Sequence, residues 1–394
     1  MKKTTIIVIT ILIIALASLG MWALWRFNRE GKIVPAEDGS AYYFINTDGE
    51  LVSDIPFASY CRGSDNNFLH VEFYQIENGK PQKKYGYADN SFNLIKDMSW
   101  NTDEDHEWCK IGNGYVLEVD ELPTKTLKIL DYNLNTMATV NDVEISSIYD
   151  CYISDADIIS VRASNGLWGA INTKGEWIIE PKYKELSRFQ DGYVGACEDE
   201  LWGVLDTNGN WVLEPQFYGY ISPNNSYFSV GIKDTPDADR KTIFINVKGE
   251  RLNNEEYCGV YSGYRFSEGL MYVATGDKEN HLVGYIDESG EYVIEPKYFW
   301  ASDFHQGLAA VQKKIDGQYK WAYIDKNGKN ITDFEFDDVG DFSSEGYAAV
   351  EVDGKWGYIK TDGTWFLEPQ FDDESSFSCG YATVKLEKGQ KIKK

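Results

Sequence analysis

Side chains that can perform chemistry are scattered along this sequence, and one short stretch gathers several of them. The segment DEDHEWC, from Asp103 to Cys109, places a histidine among carboxylates and a thiol, which are residue types that bind Zn²⁺. No two histidines lie closer than 24 residues, so histidine ligands at helical or turn spacing are missing. We interpret the segment as a polar loop and expect no metal-binding residues. The four histidines are His70, His106, His281 and His305.

Motifs for catalysis or cofactor binding are missing from the sequence. There is no phosphate-binding GxxxxGK[ST] loop, no GxSxG nucleophile, no HExxH zinc motif and no GxGxxG fingerprint. Carboxylate pairs of the kind used in glycoside hydrolysis are available in so acidic a chain, but nothing singles out two of them. We therefore expect no catalytic residues, no cofactor-binding residues and no cofactor.

The six cysteines do not form a CxxC motif, so their spacing indicates neither a redox pair nor a zinc site. An even number of cysteines in an exported chain permits disulfides, although six in 394 residues are too few for a disulfide-based scaffold. For most of them we expect the role of small buried residues.

A recurring [DN]-x-x-G sequence, as in Asp206-Thr207-Asn208-Gly209, has two possible readings. It resembles the start of an EF-hand calcium loop, but the glutamate at the twelfth position and the flanking helices are missing. The copy that begins at Lys360 also lacks the leading acidic residue. The pattern instead predicts a tight hairpin turn in which the glycine has a positive φ angle.

These turns belong to a longer repeat, shown by KWGYIKTDGTWFLEPQF at Lys355 to Phe371 and three close copies upstream. Each copy has a Trp-Gly strand, the turn, a second strand and a Glu-Pro pair, where we expect proline to end the strand. An FxxG sequence and a further apolar run follow most copies. With weaker copies in the first half, we count about nine repeats of 34–43 residues. The clear turn glycines are Gly175, Gly209, Gly249, Gly290, Gly328 and Gly363.

The repeat predicts an all-β fold, and the 15% aromatic content is typical of strands. Trp356 and Tyr358 alternate with Gly357 and Ile359, so both faces of this strand are apolar and should be covered. We expect the repeats to stack face to face, with a neighbouring repeat's aromatic ring, Trp356 among them, filling the hollow left by the small residue. A buried ring of this kind covers about 150–250 Å².

The ends of the repeat region are complementary. The first repeat begins at Tyr42 without a preceding strand, and the last ends with an extra strand, Tyr381 to Leu386. Pairing these two strands would complete a sheet and close a β-propeller-like array. An open superhelical β-repeat array is the alternative, because nine units exceed the usual four to eight blades.

The repeat pattern, WGYIDxxGxxxIEPxY followed by FxxGLAxV, resembles the bacterial WG-repeat family. The match is clear from Gly166 to Val384, with the sixth repeat degenerate, and weak from Ser40 to Asn165. The resemblance implies an exported or membrane-anchored repeat protein, and it carries no catalytic residues onto this chain. We divide the chain into an anchor at 1–32, three diverged repeats at 40–165 and six repeats at 166–394, of which the sixth, from about 241, is degenerate.

The anchor is predicted from residues 4 to 25, which carry no charge and lie between basic flanks. As a helix they extend about 33 Å, enough to cross the hydrocarbon core of a membrane. We expect a single-pass signal anchor with the repeats outside the cytoplasm. The alternative is secretion after cleavage near Ala17, where Ala15-Leu16-Ala17 resembles a signal-peptidase site.

The net charge of −25 opposes sequence-independent binding to nucleic acid. We expect a non-catalytic module that binds or scaffolds a protein, peptide or glycan, with specificity in the loops near Pro236 to Arg240 and Gly276 to His281. The alternative is a cell-envelope hydrolase that uses acidic residues.

Overall fold

The structure is a computed structural model, and it describes the chain in segments. These are residues 33–34, 41–52, 59–62, 69–77, 80–88, 94–98, 109–112, 115–118, 124–131, 135–145, 151–154, 157–224, 227–232, 241–258, 265–277, 280–373, 375–377, 380–386 and 390–393. Within these segments the regular elements are all strands, which confirms the all-β prediction. No helix long and apolar enough to cross a membrane occurs in them, and the predicted span at residues 4–25 lies outside them.

The strands are numbered in chain order. They are β1 (Ile33–Val34), β2 (Ala41–Asn46), β3 (Ser59–Arg62), β4 (Leu69–Glu77), β5 (Lys80–Ala88), β6 (Leu94–Met98), β7 (Cys109–Gly112), β8 (Tyr115–Glu118), β9 (Thr124–Asp131), β10 (Thr136–Ile145), β11 (Cys151–Ile153), β12 (Ile159–Arg162), β13 (Trp168–Ile171), β14 (Trp177–Tyr183), β15 (Glu185–Leu186), β16 (Tyr193–Glu198), β17 (Leu201–Asp206), β18 (Trp211–Phe217), β19 (Ile221–Asn224), β20 (Tyr227–Ile232), β21 (Lys241–Asn246), β22 (Tyr257–Cys258), β23 (Leu270–Thr275), β24 (Leu282–Asp287), β25 (Tyr292–Tyr298), β26 (Trp300–Ala301), β27 (Leu308–Ile315), β28 (Gln318–Asp325), β29 (Asp338–Val339), β30 (Tyr347–Val352), β31 (Lys355–Lys360), β32 (Trp365–Phe371) and β33 (Tyr381–Leu386).

In the described segments these strands form nine small antiparallel sheets, which matches the predicted nine repeats. Most sheets contain strands that follow one another in sequence, such as β15-β16-β17-β18 and β29-β30-β31-β32. The Trp-Gly strand is next to last in such a sheet and is buried on both faces, as its apolar alternation predicted. The cores therefore lie on both faces of the middle strands.

One sheet joins the two ends of the repeat region. β2 pairs antiparallel with β33 in continuous register, from Ala41 opposite Leu386 to Asn46 opposite Tyr381. This confirms the predicted partnership of these two strands.

The [DN]-x-x-G sequences form the predicted hairpin turns. In the β17–β18 turn, the Asp206 carboxylate accepts hydrogen bonds from the backbone N–H groups of Asn208 and Asn210, both at 2.9 Å. Gly209 has φ of +78°, which a residue with a side chain rarely adopts. The leading acidic or amide side chain therefore stabilises the turn.

The Glu-Pro pairs correct one expectation, because they lie inside β14, β18, β25 and β32 and do not end these strands. In the last of these strands, Phe371 pairs with Trp356 and Leu367 pairs with Tyr358, so three residues bulge opposite Gly357. Proline is accommodated there because a bulged residue needs no donor for the ladder. The bulge curves back over the glycine.

A second correction follows from this bulge. A Cβ atom on Gly357 would lie 2.6 Å from the Leu367 carbonyl oxygen and 2.8 Å from the Pro369 nitrogen. The hollow is thus filled by the backbone of the same repeat, not by a ring from a neighbouring one. Nor is Trp356 a fully buried knob, since it is only partly buried whereas Tyr358 is completely buried.

Contacts between successive sheets instead use the turn glycines and a pair of rings. Four of the six clear turn glycines pack against the last strand of the preceding sheet, as Gly328 does on Ile294 and Gly209 on Ile179, whereas Gly290 and Gly363 pack on residues outside the strands of that sheet. Gly49, beside β2, packs in the same way on Leu367 of β32. The contact between consecutive repeats therefore recurs between the last repeat and the first.

The ring pair joins the tyrosine of a WGY-type strand to the phenylalanine of the next FxxG sequence. Tyr358 meets Phe377 edge to face with a centroid distance of 5.0 Å, and its hydroxyl donates to the Ser375 carbonyl at 2.8 Å. Tyr285 and Tyr323 make equivalent ring contacts and hydrogen bonds. Aromatic packing between repeats was thus predicted correctly, although the residue responsible was not.

Candidate functional site

The antiparallel order gives every sheet two ends with different content. The FxxG and [DN]-x-x-G turns lie at one end, called the turn end, and they repeat closely. The hairpins between the two middle strands, and the links to the next sheet, lie at the other end, called the hairpin end. The repeats differ most at the hairpin end, so a binding function is best sought there.

The longest hairpin of the six C-terminal repeats is formed by β27 and β28. Each of these strands has eight residues, whereas the corresponding strands β30 and β31 have six. Two additional residues extend a strand by about 6–7 Å. Asp316 and Gly317 close the hairpin with φ of 50° and 88°, a two-residue turn that suits the twist of paired strands.

A row of rings runs from this hairpin to the preceding sheet. Tyr319 of β28 contacts Phe299, in the link before β26, with a centroid distance of 4.4 Å. Phe299 contacts His281, just before β24, at 5.2 Å. The ammonium of Lys314 lies 5.5 Å from the centre of the Tyr319 ring and covers the outer end of the row.

Two lysines lie beside the row. The Nζ atoms of Lys297 and Lys313 are 5.2 Å and 5.1 Å from the centre of the Tyr298 ring, and Lys313 also lies 5.0 Å from the centre of the Phe334 ring. Partial burial, together with the positive charge of Lys297, lowers the pKa of Lys313. Neither lysine forms an ion pair with a described residue.

Trp300 and Tyr319 are each 42% exposed, and the strand register places them on the face of the β26–β28 sheet opposite Lys313. We call the set His281, Phe299, Trp300, Lys313, Lys314 and Tyr319, together with Lys297, the hairpin surface. Its rings have exposed edges, and its lysines form no ion pair with a described carboxylate. This combination suits recognition of a partner with apolar and negatively charged groups.

A different polar cluster lies toward the turn end. The Arg265 guanidinium donates to the Asp303 carboxylate at 2.6 Å, and His305 lies 3.9 Å from the carboxylate of Asp341. Burial raises the pKa of Asp303, against the hydrogen bond and charge of Arg265. Burial, followed by the Asp303 charge, raises the pKa of Tyr272 to about 12. We call these residues the Asp303 cluster.

The chemistry available to the Asp303 cluster is limited by its pairing. One carboxylate oxygen of Asp303 accepts the Arg265 hydrogen bond, whereas the other is buried and has no hydrogen-bond partner among the described residues. A carboxyl group with a raised pKa near a second carboxylate is an arrangement that acid catalysis uses. Within the described segments Glu351 offers a second such arrangement to the hydrolase alternative, because burial and then the charges of Asp338 and Asp337 raise its pKa.

The structure distributes the residues considered in the sequence between these two places. His281 belongs to the hairpin surface and His305 to the Asp303 cluster. The role of the Gly276–His281 loop in specificity stays a prediction. His106 and the Pro236–Arg240 loop lie outside the described residues, as does most of DEDHEWC. No group of residues with metal-binding geometry occurs in the described part of the chain.

Three cysteines have described side chains, Cys151, Cys197 and Cys258, and all three are buried. This agrees with the small buried role expected for them.

Sequence reasoning missed Lys297 and Lys313 as a pair. Their proximity depends on which strands meet at the hairpin end, and the fifteen positions between them give no local signal. Comparison of the repeats in register would have found it, because no other described repeat has lysine at both positions.

Solved structures with a similar arrangement exist, all at low identity. Hsv2p from Kluyveromyces lactis has 12% identity over 68% of this chain and 97% of its own, with a TM-score of 0.39. A eukaryotic initiation factor has 10% identity over 80% of this chain and 98% of its own, with a TM-score of 0.40. Sqt1 from Chaetomium thermophilum has 12% identity over 82% and 93%, with a TM-score of 0.36. TM-scores below 0.5 give these likenesses no weight for function.

Comparison with curated proteins gives no match. The family model described as "WG containing repeat" matches five stretches, which are residues 168–202, 202–233, 284–318, 321–356 and 356–389. The matched stretches contain the Trp-Gly strands, the turn glycines and the Glu-Pro bulges described above. The chain is therefore a WG-repeat protein.

Proposed function

We propose that this WG-repeat protein is a non-catalytic module that binds or scaffolds a partner through its hairpin end. The observation that carries the proposal is the gathering of exposed rings and uncompensated lysines on the hairpin surface, where the repeats differ. Among the described residues the turn end has no equivalent set, because the side chains that recur in its turns are hydrogen-bonded within them. We favour a protein or peptide partner over a glycan, and we propose that the protein does not bind nucleic acid.

The proposal includes a closed β-propeller-like ring of nine sheets. The pairing of β2 with β33 supports closure, and so does the contact of Gly49 with Leu367, which repeats the contact between consecutive sheets. A closed ring holds loops from different repeats at fixed separations, which favours binding by a preorganised surface. An open superhelical array remains the alternative arrangement.

The proposal also places the ring outside the cytoplasm, attached to the membrane by residues 4–25. The uncharged length of this segment and its basic flanks support a single-pass anchor. Cleavage near Ala17 would release the same domain as a secreted protein.

The test is affinity capture with the full chain and two matched variants. Trp300→Ala with Tyr319→Ala removes exposed rings from the hairpin end, whereas Val247→Ala removes an exposed side chain from the turn end. A partner retained by the wild type and by Val247→Ala, but lost with the double variant, would support the proposal. A partner retained by all three would contradict it.

The hydrolase alternative is favoured by one observation, the raised pKa of Asp303 near Asp341. Its test is turnover of cell-envelope polymers by the wild type and by Asp303→Asn. Turnover that the substitution abolishes, in a protein that still folds, would establish an enzyme and overturn the non-catalytic proposal.

A further inference from the structure

Two of the three lysines of the hairpin surface, Lys297 and Lys313, stand where another repeat has a lysine and a glutamate. Lys182 precedes Tyr183 as Lys297 precedes Tyr298, and both lysines lie over the following ring, at 5.0 Å and 5.2 Å. In β16 of that repeat, Glu198 occupies the register position that Lys313 occupies in β27. The same framework therefore holds opposite charges in one repeat and like charges in the other.

The fold does not require the like-charge pair of Lys297 and Lys313. Exposed lysines at the tip of a hairpin protect strand edges from pairing with other chains, and this role accounts for Lys314. It does not account for Lys313, which is half-buried between the rings of Tyr298 and Phe334. Its pKa is lowered by burial and by Lys297, so the arrangement costs stability in the unbound protein.

The neighbouring lysine on β28 shows how the fold neutralises such a charge where it is not used. Lys320 donates to the carboxylate of Asp337 at 2.6 Å. The chain contains 63 acidic residues against 38 lysines and arginines, so carboxylates are abundant. The absence of one beside Lys297 and Lys313, among the described residues, leaves these positions available to an external carboxylate.

We propose that the hairpin surface binds a short acidic protein segment that crosses the end of the β27–β28 hairpin, so that its carboxylates meet Lys297 and Lys313 on one face while an aromatic or aliphatic side chain packs on Trp300 and Tyr319 on the other. This inference rests on the proposed function and names the chemistry of the partner. A charged group beside an apolar anchor matches the surface in both charge and hydrophobicity.

A short segment fits better than a long polyanion. The net charge of −25 repels an extended polyanion along its whole length, whereas two or three carboxylates in contact with the lysines escape most of that field. At physiological salt the field decays over about 8 Å, so local contacts dominate.

The experiment measures fluorescence anisotropy of a labelled peptide with the full chain. The probe is a peptide of Glu, Leu and Trp residues, and the control is the same peptide with Gln in place of every Glu. We expect the Glu peptide to bind, the Gln peptide to bind at least about tenfold more weakly, and the affinity for the Glu peptide to fall with added salt.

The decisive variant is Lys313→Glu, with Lys182→Glu as its matched control. Lys313→Glu recreates the Lys182–Glu198 arrangement that this fold already contains, so the variant should fold. It should weaken binding of the Glu peptide by at least about tenfold, the effect of a close charge pair. Lys182→Glu makes the same charge change in the equivalent pair of another repeat, at the position that corresponds to Lys297, and should leave the affinity unchanged.

Three results would overturn the inference. They are failure of the Glu peptide to bind, equal loss in both variants, and tighter binding of a sulfated oligosaccharide or an oligonucleotide that depends on the same lysines. The proposed function fails differently, through retention of the captured partner by Trp300→Ala with Tyr319→Ala. If that double variant loses its partner while Lys313→Glu keeps it, only the present inference is wrong.

Discussion

Gly357→Ala tests the link between the Trp-Gly strand and the Glu-Pro bulge. The new methyl group would lie 2.6 Å from the Leu367 carbonyl oxygen, so the two atoms must separate by about 0.8 Å to reach ordinary contact. The nearest atoms are backbone, and no side-chain rotation relieves the overlap. The bulge must therefore move as a whole.

The ladder on both sides of the bulge resists that movement. Trp356 pairs with Phe371 on one side and Tyr358 with Leu367 on the other, so displacement strains both pairs. Overpacking of this kind costs about 1–3 kcal/mol, and alanine regains about 0.5 kcal/mol or more because it has less freedom than glycine in the unfolded chain. We expect Gly357→Ala to lower the free energy of unfolding by about 2 kcal/mol.

The assay is urea denaturation followed by tryptophan fluorescence, with Gly231→Ala as the control. Gly231 also lies in a strand with ordinary φ, but a Cβ there would have no neighbour closer than 3.7 Å. The control should be neutral or slightly stabilising. Stability of Gly357→Ala equal to that of Gly231→Ala would refute the proposed role of the bulge.

Three further changes test contacts between repeats and at the surface. Tyr358→Phe should cost about 1 kcal/mol in urea denaturation because it removes the hydrogen bond to Ser375, whereas Tyr292→Phe, whose hydroxyl is buried without a partner among the described residues, should be neutral. Asp337→Asn should lower the free energy of unfolding at pH 7 but much less at pH 3. The Lys320 hydrogen bond lowers the pKa of Asp337, so the stability contributed by the Asp337 carboxylate is lost as the pH falls through that lowered value. An equal effect at both pH values would contradict this. The loss in free energy of unfolding at pH 7 should stay below about 1 kcal/mol because the Lys320–Asp337 pair is partly exposed. Truncation before Tyr381 should abolish hydrogen-exchange protection of the β2 amides, and retained protection would exclude their pairing with β33.

The sequence predicted the features that each repeat encodes locally. The turn glycines, the burial of both faces of the Trp-Gly strand and the number of units all follow from residues within one repeat. The pairing of β2 with β33 was also predictable, because each end lacked the strand that the other supplied.

Features that depend on how backbones meet were not predictable in the same way. Proline alone suggested a strand end, and only the register opposite Gly357 reveals a bulge within a continuing strand. Trp356 is larger than Tyr358, so its size suggested the deeper burial. The tyrosine is buried more completely because its hydroxyl reaches a carbonyl in the following segment.

The candidate site was predicted only in outline. The expectation that function lies where the repeats differ led to the hairpin end, and the Gly276–His281 loop adjoins the hairpin surface. The lysine pair required the arrangement of β25 beside β27, which no single repeat encodes. The Asp303 cluster likewise draws its residues from three successive sheets.

The Glu-Pro bulge also restricts how these repeats can be recombined. Every described Glu-Pro pair lies opposite a glycine, whereas Ala322 stands at the glycine position of a WG-type hairpin whose second strand lacks the pair. A chimaera that joined the strand of Ala322 to the second strand of the following repeat would set a methyl group against a bulge. Crossovers outside the hairpin keep the two features together, so the hairpin from Trp356 to Phe371 is the smallest cassette that can be exchanged intact.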